Sequence, residues 1–174
     1  MIEEAKEFIK TFDNIKYGWY DTKGILREHI DKDYMIEYRT RSPKETKELN
    51  VGVCWDLNEL QRDYYESKNA NFHTIFAVIN DLYLKHPNHA FVIVEHNGKF
   101  YWSEGTWRTR KGIHEYNSKE EILEDIKANF SEIYGKPLPE DKIENLEFFE
   151  YERPIYGLSA IDFFMHCIKG NKIN

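Results

Sequence analysis

The first apolar stripe along the chain has a helical period. In "EEAKEFIKTF", Ala5, Phe8, Ile9 and Phe12 recur at three- and four-residue spacing, which predicts an amphipathic helix. Between Tyr17 and Tyr38 polar and aromatic positions mix without a dominant period, so only short strands and turns are expected there. "SPKE" at 42–45 reads as a helix start: Ser42 caps, Pro43 suits the first helical position, and Glu45 can reach back to close a capping box. After Gly52 the helical period returns from Cys54 to Ser67. Leu57, Leu60 and Tyr64 repeat along it, and Asp56 and Glu59 lie near its positive end.

The pattern then changes. "FHTIFAVIN" (72–80) is a continuous apolar run, and its β-branched and aromatic content assigns it to a strand. In "HAFVIVEHNGKFYWSEGTW" two β-rich runs flank Asn97-Gly98, the pair best suited to the positive φ angles of a type I′ turn. "NSKEEILEDIKANF" returns to a helix, with Ser118 and Glu121 at capping-box spacing and Ile122, Ile126 and Phe130 inward. "IENLEFFEYERP" predicts a late strand closed by Pro154, and "LSAIDFFMHCIKG" a C-terminal helix ended by Gly170. The order predicts an α+β domain built around a small antiparallel sheet, and without repeats or linkers it is a single domain over 1–174.

Composition narrows the function. The 174 residues carry a net charge of −7, which disfavours nucleic acid and anionic membranes as partners; the single basic stretch, "WRTRKG" at 107–112, reads as a solvated loop. Twelve Tyr, eleven Phe and four Trp supply ample surface for a core. The two cysteines, Cys54 and Cys167, are too few and too far apart for a disulfide framework or a CxxC zinc pattern. "MIEEAKEFIK" lacks the apolar run of a signal peptide, so a reduced, cytoplasmic protein is expected, and nothing in the pattern calls for a cofactor.

The hairpin carries the chemistry. If Asn97-Gly98 is a two-residue loop, His96 faces Lys99, Phe91 lies opposite Glu104, and His89 opposite Thr106. Side chains two apart share a face, so Glu104 is the diagonal same-face neighbour of His89, roughly 7–8 Å away between Cα atoms. A carboxylate held against one imidazole nitrogen fixes the tautomer and leaves the other nitrogen free to act. Cys54, at the start of a helix, sits where the macrodipole and unpaired N–H groups favour a thiolate and can hold an oxyanion. Gly52 allows substrate or backbone to approach closely. Thiolate, imidazole and carboxylate are the three groups that covalent acyl transfer needs.

"GVCWD" before a helix, followed by "HAFVIVEHNGKFYWSEGTW", resembles the transglutaminase-like superfamily of papain-fold cysteine enzymes. That family places Gly-x-Cys at a helix start, His-Ala-aromatic at the opening of a strand, and an acid with Thr and Trp at the end of the next. The resemblance covers about 50–107 and implies a papain-like core with Cys54 as nucleophile, His89 as base and Glu104 as orienting acid. "EGTW" has Glu where the family usually has Asp. The implied activity is hydrolysis or acyl transfer at an amide or peptide bond through an acyl-enzyme, on a protein, peptide or small amide. An upstream side chain often completes the family's oxyanion site, and Asn50 and Tyr38 are candidates.

Each of these residues also has a plainer reading. A free cysteine is most often a small buried hydrophobe, the role assigned to Cys167. "HPNH" (86–89), with His73 or His96, resembles a metal site but lacks the helical register of HExxH, so no metal is assigned. Trp55, Trp102 and Trp107 are candidates for lining a substrate channel, or for packing. The alternative function is a non-catalytic module that binds peptide or protein on the same fold.

Overall fold

A computed structural model describes residues 1–79, 88–134 and 138–173. In chain order, α1 (Ile2–Lys10) runs into a 3₁₀ turn at Thr11–Asn14. Four short pieces follow: β1 (Lys16–Tyr17), β2 (Trp19–Tyr20), β3 (Leu26–Arg27) and α2 (Tyr34–Glu37). Next come α3 (Pro43–Leu49), β4 (Val51–Gly52), α4 (Cys54–Ser67), β5 (Asn71–Ile79), β6 (Asn88–His96), β7 (Lys99–Glu104) and β8 (Gly112–Tyr116). The chain closes with α5 (Lys119–Asn129), a 3₁₀ turn at Phe130–Tyr134, α6 (Glu140–Glu144), β9 (Leu146–Glu150), α7 (Ala160–Cys167) and β10 (Asn171–Ile173).

Among the described residues, six strands form one antiparallel sheet in the order β10-β9-β5-β6-β7-β8. It is larger than the small sheet expected, because β8 and β10 extend it at both edges. On one face Phe76, Val78, Ala90 and Phe149 pack against Trp55 of α4 and against Phe163, Phe164 and Cys167 of α7. On the other, Ile75, Ala77, Phe91, Ile93 and Trp102 meet Ile122 and Ile126 of α5, with Phe130 just beyond it. Strands covered on both faces need apolar side chains at every position, which is why β5 and β6 show runs rather than alternation. Residues 74–79 and 89–94 are all buried.

Local chemistry sets the boundaries. Ser42 Oγ accepts from Glu45 N while Glu45 returns to Ser42 N at 2.8 Å, the full capping box expected at α3. Ser118 caps α5 the same way, but Glu121 reaches back to the N–H of Asn117 rather than of Ser118. Asn97 and Gly98 adopt φ of 51° and 73° and set His96 opposite Lys99, the register of a two-residue turn. Gly52 has a packing role: a Cβ there would meet Leu57 Cδ1 at 2.7 Å and Asp56 Cβ and Thr46 Cγ2 at 3.1 Å, so β4 can lie against α3 and α4 only without a side chain. The close approach that Gly52 permits is thus to the protein itself.

Candidate active site

Three segments meet where β6 begins, β7 ends and α4 starts. Cys54 is the first residue of α4. The turn into that helix is held by Asp56, which is buried and accepts from Val53 N (3.0 Å), Arg41 N (3.0 Å) and Tyr38 Oη (2.7 Å). Valine has no side-chain acceptor, so this is half a capping box, and Asp56 alone ties down the end that presents Cys54. Burial pushes the Asp56 carboxyl above its ordinary value, while these three bonds and the nearby Arg41 charge work the other way.

His89 and Glu104 come from the paired strands β6 and β7. His89 Nε2 lies 2.6 Å from Glu104 Oε2. The second carboxylate oxygen accepts from Thr106 N at 2.7 Å and Trp107 N at 2.8 Å. The backbone just past the strand therefore orients the acid, as the acid orients the ring. Phe91 lies over the imidazole with ring centroids 6.1 Å apart, and Trp107 meets it edge-on at 5.8 Å. With Nε2 committed to Glu104, Nδ1 is the ring nitrogen left free, and Cys54 lies close enough to raise the imidazole pKa.

The electrostatics follow from burial. Desolvation on its own would lower the pKa of His89, but the Glu104 charge, its hydrogen bond and the Cys54 contact outweigh that and raise it to about 10. Desolvation would raise the pKa of Glu104, yet the imidazole and the Trp107 and Thr106 N–H groups hold it below its ordinary value. The arrangement favours an imidazolium–carboxylate pair beside the sulfur.

A tyrosine missed in the sequence completes the site. β1 runs parallel to β4 with Tyr17 opposite Gly52, and Gly18 N donates to Gly52 O at 3.1 Å. This pairing brings Tyr17 beside the start of α4, where its phenol and Cys54 influence each other's charge. Tyr17 is 44% exposed as a residue, so the upward push on its phenol reflects desolvation at the hydroxyl end together with the neighbouring Cys54. No local motif marks Tyr17; a parallel pairing of two-residue strands 35 positions apart leaves no periodic trace. The two upstream candidates have other work. Tyr38 Oη is committed to Asp56, and Asn50 ends α3 in the left-handed region at φ 50°.

The three tryptophans named for a substrate channel or for packing are all buried. Trp55 (3% exposed) lies in the core against Phe163 and donates to Asn88 Oδ1, and Trp102 (0%) is enclosed between Phe91 and His114. Trp107 touches His89 but is itself 6% exposed. Trp55 belongs to the core on one face of the sheet, and Trp102 and Trp107 to the core on the other. Cys167 is buried at the end of α7, on its core face, and burial raises its thiol pKa well above the ordinary value. Of the metal-like set, His86 lies outside the described residues. His73 is bound between Glu150 (2.6 Å) and Glu95 (3.3 Å) with Lys119 beside it, and no group of three metal ligands occurs among the described residues. Also among the described residues, no helix is long and apolar enough to cross a membrane.

No family model, curated protein or solved structure matches the chain.

Proposed function

We propose that the chain is a cysteine-dependent acyl-transfer enzyme with a papain-like or transglutaminase-like core, acting on an amide or peptide bond. The observation that carries this reading is the His89–Glu104 contact of 2.6 Å directed at the first residue of α4. Glu104 is fully buried; two backbone N–H groups hold its Oε1, and its Oε2 is directed at the ring.

The thiolate of Cys54 attacks the substrate carbonyl carbon, forming the C–S bond while the carbonyl π pair moves to oxygen. The Cys54 N–H, at the positive end of α4, faces that oxyanion. Collapse re-forms the C=O and breaks the C–N bond. The leaving nitrogen takes the proton from His89, while Glu104 holds the ring on its Nε2 side. Water or an amine, deprotonated by His89, then releases the acyl group from sulfur. The reading is at the level of reaction class, with Cys54, His89 and Glu104 in these roles.

The test is labelling by a thiol-directed acyl probe. Wild type should form a covalent adduct at Cys54, Cys54→Ala should fold but form none, and His89→Ala should label more slowly by about 10²-fold or more. Equal labelling of wild type and Cys54→Ala would reject the reading and favour a binding module on the same scaffold.

A further inference from the structure

A side-chain bond joins the chain neighbours of the two proposed reacting groups. Trp55, the residue after Cys54, donates from Nε1 to Oδ1 of Asn88, the residue before His89, at 3.0 Å. Burial by itself does not call for this partner. The indole N–H groups of Trp102 and Trp107 are buried as well and have none among the described residues.

Both ends of the bond are suited to carry position. The Trp55 ring is buried and lies against Phe163 at 4.4 Å between centroids, and against Tyr34 and Tyr38 at 5.6 Å each, so its N–H points in one direction. Asn88 stands at the start of β6, where the strand is paired on one side only. Its pairing with β5 continues to Val78 opposite Asn88, whereas its pairing with β7 stops at Val92 opposite Ser103. Over residues 88–91 the strand therefore lacks the second ladder that fixes it further on, and the Asn88 amide supplies a tie to α4 instead. Adjacent strand residues point to opposite faces. Ala90 accordingly shares the core cluster of Trp55, while Phe91 and Trp107, which flank His89, belong to the other. α4 can thus hold Asn88 while His89 is turned to Glu104.

We propose that the Trp55–Asn88 hydrogen bond is a brace that sets the separation of Cys54 from His89, which makes Trp55 and Asn88 positioning residues for the proposed reaction. This rests on the reading of Cys54 as nucleophile and His89 as its base. A misplacement of about 1 Å between reacting groups costs on the order of 10²-fold in rate. Losing this one neutral hydrogen bond should therefore slow acylation far more than it weakens the fold.

The experiment measures two rates at Cys54, acylation by the thiol-directed acyl probe and alkylation by iodoacetamide, each followed at the Cys54 peptide by mass spectrometry. Asn88→Ala removes the acceptor and Trp55→Phe the donor. Either should lower the limiting acylation rate by about 10- to 100-fold, with the half-saturating probe concentration within a few-fold of wild type. Asn88→Asp keeps an acceptor for the indole and should restore most of the rate. The decisive comparison is with His89→Ala. Asn88→Ala should slow alkylation several-fold when His89 is present and not at all once it is Ala, because the brace acts through the ring. A loss that persists without His89, or acylation in the variants within about twofold of wild type, would overturn the brace. The two variants break the same bond, so either decides the matter if the other does not fold. Alkylation needs no acyl chemistry. If wild type forms no acyl adduct but Asn88→Ala still slows alkylation only while His89 is present, the acyl-transfer reading fails and the brace stands.

Discussion

Glu104 Oε2 lies 2.6 Å from His89 Nε2, while Glu104 Oε1 holds the N–H groups of Thr106 and Trp107. The carboxylate spans two jobs, one structural and one directed at the ring. Glu104→Gln separates them. The glutamine carbonyl can keep both backbone bonds, but its NH₂ then faces Nε2 and donates to it. That forces the ring proton onto Nδ1, the nitrogen that takes the Cys54 proton in the proposed reaction. Acylation of Cys54 in single turnover should fall by on the order of 10²- to 10⁴-fold with little loss of fold. A rate within a few-fold of wild type would remove Glu104 from the mechanism.

The same pair fixes a pH window for stability. The folded pKa of His89 is raised from the ordinary 6.5 to about 10, so its contribution is complete below 6.5 and is lost as pH rises towards 10. Glu104 is lowered from its ordinary 4.5, so its contribution is present above 4.5 and is lost as pH falls further. The advantage of wild type over Glu104→Gln should therefore be greatest between about 4.5 and 6.5, then shrink steadily towards pH 10. Thermal denaturation of both proteins across pH 4–10 measures it. A difference flat from 6.5 to 10 would mean that His89 is neutral in the fold.

What was legible in the sequence was local. Asn97-Gly98 fixed one turn, and the pairing His96–Lys99 carried the register back towards Glu104 and His89. The start of α4 at Cys54 followed from its apolar period. What was not legible depends on contacts distant in the chain. β8 is an edge strand with no fully buried residue, so "GIHEY" has no alternation to detect, and β10 is three residues long. Tyr17 reaches Cys54 only through the β1–β4 pairing, and the tryptophans became packing because α5 and α7 cover both faces of the sheet.

The turn itself gives a separate prediction. Gly98 has φ of 73° and nothing within 4 Å of where a Cβ would lie. The cost of Gly98→Ala is then conformational alone, about 1 kcal/mol. The turn lies at the far end of the hairpin from His89, so acyl-probe labelling should match wild type in the folded protein. A much larger loss of stability in urea, or lost labelling, would mean that the register has slipped.

Asp56 tests what positions the proposed nucleophile. Its two oxygens hold three donors, Val53 N, Arg41 N and Tyr38 Oη, and two effects compete when it is changed. Asp56→Ala orphans all three, and at about 1–3 kcal/mol for each buried unsatisfied donor the loss should be at least about 3 kcal/mol. Asp56→Asn keeps one acceptor oxygen for Tyr38 and Arg41 and turns an NH₂ towards Val53 N–H. It also removes a charge whose burial the fold disfavours, as the raised pKa of the carboxyl shows. The second effect offsets much of the first, so Asp56→Asn should cost only about 1 kcal/mol. Because Val53 N–H is the bond lost, the start of α4 should loosen and labelling of Cys54 should drop more than stability does. If Asp56→Asn proves as damaging as Asp56→Ala, the charge near Arg41, rather than the acceptor geometry, is what holds α4 in place.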